Sequence, residues 1–454
     1  MVPIVTPEEM RTVDAEATEP TDVLIARAGG AVARAALRML GGTYGRVVNV
    51  VAGKGNNGAD GRVAAARLAE RGVKVRVFDA AGCPSELPPA DLVIDAAYGT
   101  GFRGEWNPPE VGDAMVLAVD IPSGVDALTG GAAGPVLAAD RTVTFAALKP
   151  GLLFPPGSDL AGAVEVADIG LGAGVARHAH AALVQGADVG GWLPARERDA
   201  HKWRSAVRVV AGSIGMTGAA ALVAAPPCAG AGIVHLSSPG ALVTSAPVEV
   251  VQRPVPMTGW AATVLDTLDR FHALVVGPGL GREDAATAEA RRLVVEAAVP
   301  AVVDGDGLFA MAWNAEGAAA LLRRRTPPTV LTPHDGEYAM LTGAPPGGDR
   351  LVAARRLAAD TGCVVLLKGP ATVVAGPDGR TLVVTSGDER LATAGSGDVL
   401  SGLIGALLAR GVPALEAAAA GAWLHGRAAA MAPAAGLVAG DIADHLPAVL
   451  EELA

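Results

Sequence analysis

The stretch Arg46-Val47-Val48-Asn49-Val50-Val51, running into Ala52-Gly53-Lys54-Gly55-Asn56-Asn57-Gly58-Ala59-Asp60-Gly61, decides the fold class. A short β-branched run that breaks straight into a glycine-rich turn reads as a buried parallel strand. The segment from Arg62 to Arg71 reads as the helix that follows. Strand, glycine-rich turn and helix are the parts of a mononucleotide-binding βαβ unit. The spacing is not Gly-x-Gly-x-x-Gly, and paired asparagines are unusual in that fingerprint. The amides of Asn56 and Asn57, with Asp60, either contact a ligand, the preferred reading, or stabilise the turn.

The alternation extends in both directions. Thr6 to about Leu40 reads as helical, and Val73–Phe78, Leu92–Ile94 and Met115–Val119 read as strands. The last two end at Asp95 and Asp120, each before a loop too glycine-rich for mere connection: Tyr98-Gly99-Thr100-Gly101-Phe102-Arg103-Gly104-Glu105 and Ile121-Pro122-Ser123-Gly124-Val125-Asp126. One Asp after a strand is often a helix cap. Several such loops at the carboxyl ends of parallel strands are expected to converge on a ligand.

The pattern restarts at Val207–Val210. Ala273–Val276 ends in Gly277-Pro278-Gly279-Leu280-Gly281, and Ala301–Val303 in Asp304-Gly305-Asp306-Gly307. Thr329–Leu331 leads to Thr332-Pro333-His334-Asp335-Gly336-Glu337, and Val364–Leu367 to Lys368-Gly369-Pro370-Ala371-Thr372. Last comes Thr393-Ala394-Gly395-Ser396-Gly397-Asp398, before a helical stripe of Val399, Leu400, Leu403, Ile404, Leu407 and Leu408. Its glycines let successive N–H groups converge on an anion, and the helix dipole adds to that. Asp398 either caps the helix or takes a proton from a hydroxyl. With Lys368 neutralising phosphate, these strand ends describe a phosphoryl-transfer pocket. His334, after Thr-Pro at a strand end, is read as a ligand contact. Asp304 and Asp306 position either magnesium or substrate.

Length and charge set the frame. A chain of 454 residues is too long for one core. The irregular stretch Gln185 to Arg198 is the expected linker, giving domains 1–190 and 191–454. Residues are 51% apolar and only 3% aromatic, which suits closely packed α/β layers, and the net charge of −11 argues against nucleic acid or an anionic membrane as partner. Cys83, Cys228 and Cys363 have no metal-like spacing and read as apolar fillers in a reducing compartment. His178 and His180 lack a nearby third ligand and read as surface residues. The start has no basic, then apolar, signal pattern, and Ala219–Leu236, the most apolar window, is broken by Pro226 and Pro227. A cytoplasmic protein is the expectation.

The first-half motifs resemble the NAD(P)H-hydrate epimerases: Asn56-Asn57-Gly58-Ala59-Asp60, Asp95 with Gly99 to Glu105, Asp120 to Asp126, Thr144-Phe145-Ala146-Ala147-Leu148-Lys149-Pro150-Gly151 and Asp168-Ile169-Gly170-Leu171. The resemblance implies a Rossmann-like parallel sheet. It also implies hydrate contacts from Asn56, Asn57, Gly58, Ala59, Asp60, Gly99, Thr100, Gly101, Phe102, Arg103, Gly104, Glu105 and Asp120, with Asp120 also catalytic. Potassium would be held by Asn57, Asp95 and Ser123, oxygen donors suited to a hard cation. Ala59 stands where that family usually has glycine.

The second half resembles the ADP/ATP-dependent NAD(P)H-hydrate dehydratases, through Gly277 to Gly281, Thr332 to Glu337, Lys368-Gly369 and Ala394 to Leu400. This implies a ribokinase-like α/β/α sandwich. Ala220, Gly279, Gly281, His334 and Asp398 would contact the hydrate, with Asp398 catalytic. Lys368, Gly369, Pro370, Ala371, Thr372 and Gly397 would cradle ADP, which acts with magnesium. Ser396 replaces a common threonine, and the tyrosine often found near Gly215–Gly218 is absent.

Together the resemblances imply a bifunctional α/β repair enzyme, in which R and S hydrates are exchanged and the S form is dehydrated through a phosphorylated intermediate. The expected partners are NAD(P)H hydrate and ADP, in a homo-oligomer. One alternative is a ribokinase-like kinase for a small alcohol such as a hydroxymethylpyrimidine, with a Rossmann-like regulatory domain. Another is a first half reduced to a binding module.

Overall fold

The computed structural model describes residues 1–102, 104–195, 198–226, 230–312 and 315–453. The chain forms two compact units, Val2–Ala182 and Leu183–Ala454.

The N-terminal unit is built on β1 (Val47–Ala52), β2 (Lys74–Asp79), β3 (Leu92–Ala96), β4 (Met115–Val119), β5 (Arg141–Phe145) and β6 (Ala163–Ala167). They form a six-stranded sheet in the order β2-β1-β3-β4-β5-β6, parallel throughout. Val48, Val50, Leu92, Ile94 and Leu117 pack into one core, while Val51 and Val93 face another that contains Trp106. Burial on both faces explains the unbroken apolar runs, and each fully buried Leu or Ile contributes roughly 1.5–3 kcal/mol.

Two helical expectations are corrected. The segment from Thr6 to Leu40 is two helices, α1 (Pro7–Ala15) and α2 (Thr21–Leu40). A Thr6–Glu9 capping box opens α1, and Pro20, at the N-cap of α2, cannot continue a helix through its missing N–H. The helix after β1, α3, runs Asn56–Glu70 rather than from Arg62. Asn56 to Asp60 are therefore its first turns, not a loop. A Cβ on Gly58 would fall 1.9 Å from the Gly53 carbonyl oxygen, so glycine here lets the helix start seat directly on the turn.

The C-terminal unit carries β7 (Ala206–Val210), β8 (Ile233–Ser237), β9 (Val251–Gln252), β10 (Ala273–Val276), β11 (Ala301–Val303), β12 (Thr329–Leu331), β13 (Val364–Leu367), β14 (Thr372–Ala375) and β15 (Thr381–Val384). Their order is β15-β14-β13-β12-β11-β10-β7-β8-β9. From β13 to β9 the pairs are parallel, and β13-β14-β15 turn back antiparallel. Helix α4 (Thr217–Ala224) precedes α5 (Asp284–Glu296), α6 (Asp335–Thr342), α7 (Ser396–Ala409) and α8 (Ala414–Met431). Every residue of α7 from Val399 to Ala409 is buried, between the sheet and the neighbouring helices α4 and α8. Gly405 permits this, because a Cβ there would lie 2.3 Å from Val275 Cγ2.

The expected linker is partly regular: Gly186–Trp192 is a helix opened by a Gln185–Asp188 capping box, and residues 196–197 lie outside the described residues. No helix among the described residues is long and apolar enough to cross a membrane.

Candidate active sites

In the N-terminal unit the chain departs in opposite directions from β1 toward β2 and β3, which opens a crevice at their carboxyl ends. Gly53 narrows it, since a Cβ there would sit 1.9 Å from the Ala97 carbonyl oxygen. At the end of β3, Asp95 is fully buried. Ser123 Oγ donates to its Oδ1 at 2.6 Å and the Ser123 amide to Oδ2 at 2.8 Å. Burial raises the Asp95 pKa and these hydrogen bonds oppose it. The Tyr98 amide donates to Ser123 Oγ at 2.8 Å, and the Tyr98 carbonyl oxygen lies 3.1 Å from the same hydroxyl. Asn57 packs against Gly99, whose missing Cβ would lie 3.4 Å from Asn57 Cβ. Both polar atoms of the Asn57 amide are buried without a partner. A buried orphan amide costs about 1–3 kcal/mol, so it marks a place where a ligand supplies the missing interaction.

Beside this lies a charged group. Asp120 has a positive φ of 67°, a strained conformation for a non-glycine residue. Its Oδ1 lies 2.7 Å from Lys149 Nζ and accepts from Thr144 Oγ1 at 3.0 Å. Lys149 is 1% exposed and also donates to the Phe145 carbonyl at 2.8 Å. Burial, reinforced by Asp120, pushes Asp60 up to about 8. Asp14 of α1 senses the same group: burial raises its pKa, Lys149 lowers it and Asp120 raises it.

In the C-terminal unit the end of β13 delivers Lys368, whose Nζ lies 3.0 Å from Asp304 Oδ1 and 3.5 Å from Glu337 Oε2. Burial works against its charge, but Asp304 and Glu337 outweigh this and raise its pKa. Ser401 Oγ donates to Asp304 Oδ2 at 2.6 Å. Asp306 accepts from the Gly281 amide and from Arg282 Nε, each at 2.9 Å. Gly277, with φ 131°, passes so close to β11 that a Cβ would lie 1.8 Å from the Asp304 carbonyl oxygen. The anion loop closes the pocket. Gly395 is the N-cap of α7 with φ 88°, and a Cβ on Gly397 would be 3.4 Å from Lys368 Nζ. No side chain caps this helix, so Asp398 is not the cap. Burial, Asp304, Asp306 and Glu337 push Asp398 up, Lys368 pulls it down, and it comes to about 7.

These elements join Asp95 to Ser123, with Asn57 against the neighbouring Gly99, and bring together Lys368, Gly397 and Asp398. The other candidates range from buried to exposed. Ala220 is fully buried, its methyl 2.7 Å from the place of a Cβ on Gly212, and Ala371 is buried beneath the β13–β14 turn. Gly369 and Pro370 are exposed, and Thr372 begins β14. Gly279 is buried and Gly281 half-buried. Phe102 stacks at 4.1 Å on Tyr98, Gly99 and Thr100 are half-buried, and Gly101, Gly104, Glu105 and Asn56 are exposed. Ala59 is half-buried and Gly58 buried within α3. Arg103 lies outside the described residues. His334 is the N-cap of α6: its Nδ1 accepts from the Gly336 and Glu337 amides at 3.0 and 3.2 Å, which leaves Nε2 as the ring N–H. His178 pairs with Glu16 at 3.0 Å and His180 is exposed. Cys83 is half-buried, burial pushes the Cys363 thiol up to about 11, and Cys228 lies outside the described residues. Sequence reasoning assigned no role to Lys149, Thr144, Asp14, Glu337 or Ser401. For Ser401 a signal existed: it is the one hydroxyl in the apolar run from Val399 to Ala409, one turn beyond Gly397.

A lysine, a glycine-rich helix N-terminus and a buried aspartate at the carboxyl edge of a parallel sheet are the layout of a ribokinase-like fold. A ribokinase-like superfamily protein from Enterococcus faecalis V583 matches with a TM-score of 0.54 at 20% identity, over 61% of this chain and 97% of that one. The crystal structure of the ADP/ATP-dependent NAD(P)H-hydrate dehydratase from Bacillus subtilis, co-crystallized with ATP/Mg2+, matches at 28% identity with a TM-score of 0.52, over 60% of this chain and 98% of that one. The family model described as NAD(P)H-hydrate dehydratase matches residues 207–451, and that described as YjeF-related protein N-terminus matches residues 21–83 and 79–151. The bifunctional NAD(P)H-hydrate repair enzyme of Moorella thermoacetica is 36% identical over 99% of this chain and 97% of its own. The chain belongs to the family of bifunctional NAD(P)H-hydrate repair enzymes.

Proposed function

We propose that the chain restores hydrated NADH and NADPH, with its C-terminal unit dehydrating the S hydrate at the expense of ADP and its N-terminal unit exchanging the R and S epimers. The observation that carries this is the convergence of Lys368, the Gly395–Gly397 loop and Asp398 in one pocket. Asp398 takes the proton of the ring hydroxyl, and the hydroxyl oxygen attacks the terminal phosphorus of ADP, releasing AMP. The loop amides and Lys368 hold the phosphoryl charge. Phosphate then leaves with the bonding electrons of the C–O bond, the neighbouring ring carbon loses a proton, and the double bond returns. Hydroxide is a poor leaving group near neutral pH and phosphate a far better one, which is why a kinase-like site suits a lyase. Magnesium bound with ADP would neutralise phosphate charge, and the carboxylates of Asp304 and Asp306 are the oxygen donors at hand. Among the described residues no group of three or more His, Cys, Asp or Glu side chains forms a candidate metal site.

Because Asp398 sits at about 7, the base must be ionised to act. The kcat/KM for dehydration is expected to rise with pH through about 7 and level off above it. A profile that falls through this range would instead make Asp398 a proton donor.

In the N-terminal unit Asp60, pushed up to about 8, is protonated near neutral pH beside the Asp120–Lys149 pair. Asp60 gives a proton to the ring hydroxyl, which leaves as water with the C–O bonding electrons. Water then adds to the opposite face of the cationic ring and returns the proton to Asp60, while the Asp120 carboxylate stabilises the ring cation as the second catalytic group. The orphan amide of Asn57, with Asp95 and Ser123, fits potassium: every donor is oxygen and Asp95 supplies charge. Asp95→Ala is expected to slow R-to-S exchange at least about tenfold, remove its potassium dependence and leave dehydration intact. An unchanged exchange rate across a potassium titration would sink this assignment.

A mixture of R and S NADPH hydrate with ADP and magnesium, followed by the absorbance of reduced nicotinamide, tests the whole reading. Full recovery supports both activities. Recovery that stops at the S fraction reduces the first unit to a binding module, and no recovery with ADP or ATP favours the small-alcohol kinase. A cytoplasmic setting and a homo-oligomeric state complete the proposal. Sedimentation of the purified chain decides the latter.

A further inference from the structure

At the opposite edge of the C-terminal sheet lies a cavity of about 840 Å³. Ser205, Gly232 and His272, each the residue before β7, β8 or β10, line it. The catalytic loops leave the other ends of these strands, and a five-residue strand such as β7 separates the two edges by roughly 16 Å. The walls carry Arg198, His201, Lys202, Arg204, His272 and Arg410, and among the described residues no carboxylate lines the cavity. Arg204 pairs with Asp199 at 2.8 Å, and Arg410 donates to the Pro194 carbonyl. Behind the wall the charge has the same sign. His235 is pressed down to about 4, first by burial and then by Arg253, Arg208, Arg270 and Lys202. Arg208 is 3% exposed, donates to Ser237 Oγ at 2.7 Å and leaves Nε without a partner. A concave cationic wall in a chain of net charge −11 focuses positive potential at one spot.

We infer that this cavity binds a phosphate-rich anion, a polyphosphate of nucleotide size or smaller, separately from the catalytic pocket. Lys202 and His272 are exposed and stand outside the proposed catalytic machinery, so substitutions there report on binding rather than folding. The test titrates sodium tripolyphosphate by calorimetry into the full-length Lys368→Ala chain, where the catalytic anion site is weakened, and into the same chain with Lys202→Glu added. We expect saturable binding in the first and about tenfold weaker binding in the second, with the unfolding midpoint unchanged. His272→Glu in place of Lys202→Glu is expected to act in the same direction. No saturable binding to the Lys368→Ala chain, or equal binding by all three, overturns the inference. ADP in the same titrations identifies the source: a loss of affinity on Lys202→Glu larger for ADP than for tripolyphosphate assigns a nucleotide to this cavity, and a smaller loss assigns free polyphosphate.

Discussion

Asp398→Asn is expected to abolish dehydration and leave R-to-S exchange at its original rate. The substitution keeps the shape of the side chain but removes the site that accepts the hydroxyl proton. General-base catalysis contributes about 10²- to 10⁴-fold, so a loss of that size in kcat is expected. The fold should tolerate the change. Burial penalises the Asp398 charge, and Asp304, Asp306 and Glu337 repel it, so a neutral amide relieves that cost. The unfolding midpoint is therefore expected to hold or rise while activity disappears. ADP affinity, read by calorimetry, should not fall, since Lys368 and the loop amides remain. Dehydration within a few-fold of the parent would exclude Asp398 as the base.

Lys149→Met should give the converse pattern, with exchange lost and dehydration kept. Lys149 is buried and its ammonium group is held by Asp120, Thr144 and the Phe145 carbonyl. Methionine fills similar volume and leaves Asp120 without its cation, next to Asp60 and Asp14. Removing one partner of a buried ion pair costs about 3–5 kcal/mol, so the N-terminal unit should melt earlier. The double variant Lys149→Met with Asp120→Asn separates the effects: asparagine tolerates the positive φ of that position, so stability should return because no charge is left unpaired, while exchange stays absent. If Lys149→Met exchanges the epimers at the parent rate, the pair is structural only.

Much of this arrangement is legible in the sequence because buried parallel strands announce themselves. Ala273–Val276, Ala301–Val303, Thr329–Leu331 and Val364–Leu367 are strands with the expected bounds. The misreadings have local physical causes. Glycine signals a turn when read alone, yet Gly58 serves helix-to-turn contact inside α3. Pro20 splits one apolar periodicity into two helices. Partners brought together by the fold were harder to see. Lys149 reaches Asp120 from a loop beyond the next strand, and Ser401 reaches Asp304 across 97 residues of chain, so no spacing rule links them. Ala220 and Ala371, which motif position places among the ligand contacts, have their methyl groups buried in the core, so only their backbone is left to meet a ligand.

The burial of α7 on every side has a consequence for how the enzyme ages. The amides proposed to face phosphate are the half-buried tip of a rod embedded in the middle of its unit, so they cannot loosen while the rest stays firm. Little ordering is left to do when an anion arrives, which favours fast capture. The same embedding ties catalytic lifetime to the integrity of the whole unit, and heat should silence dehydration in one step with unfolding rather than through gradual wear of the loop.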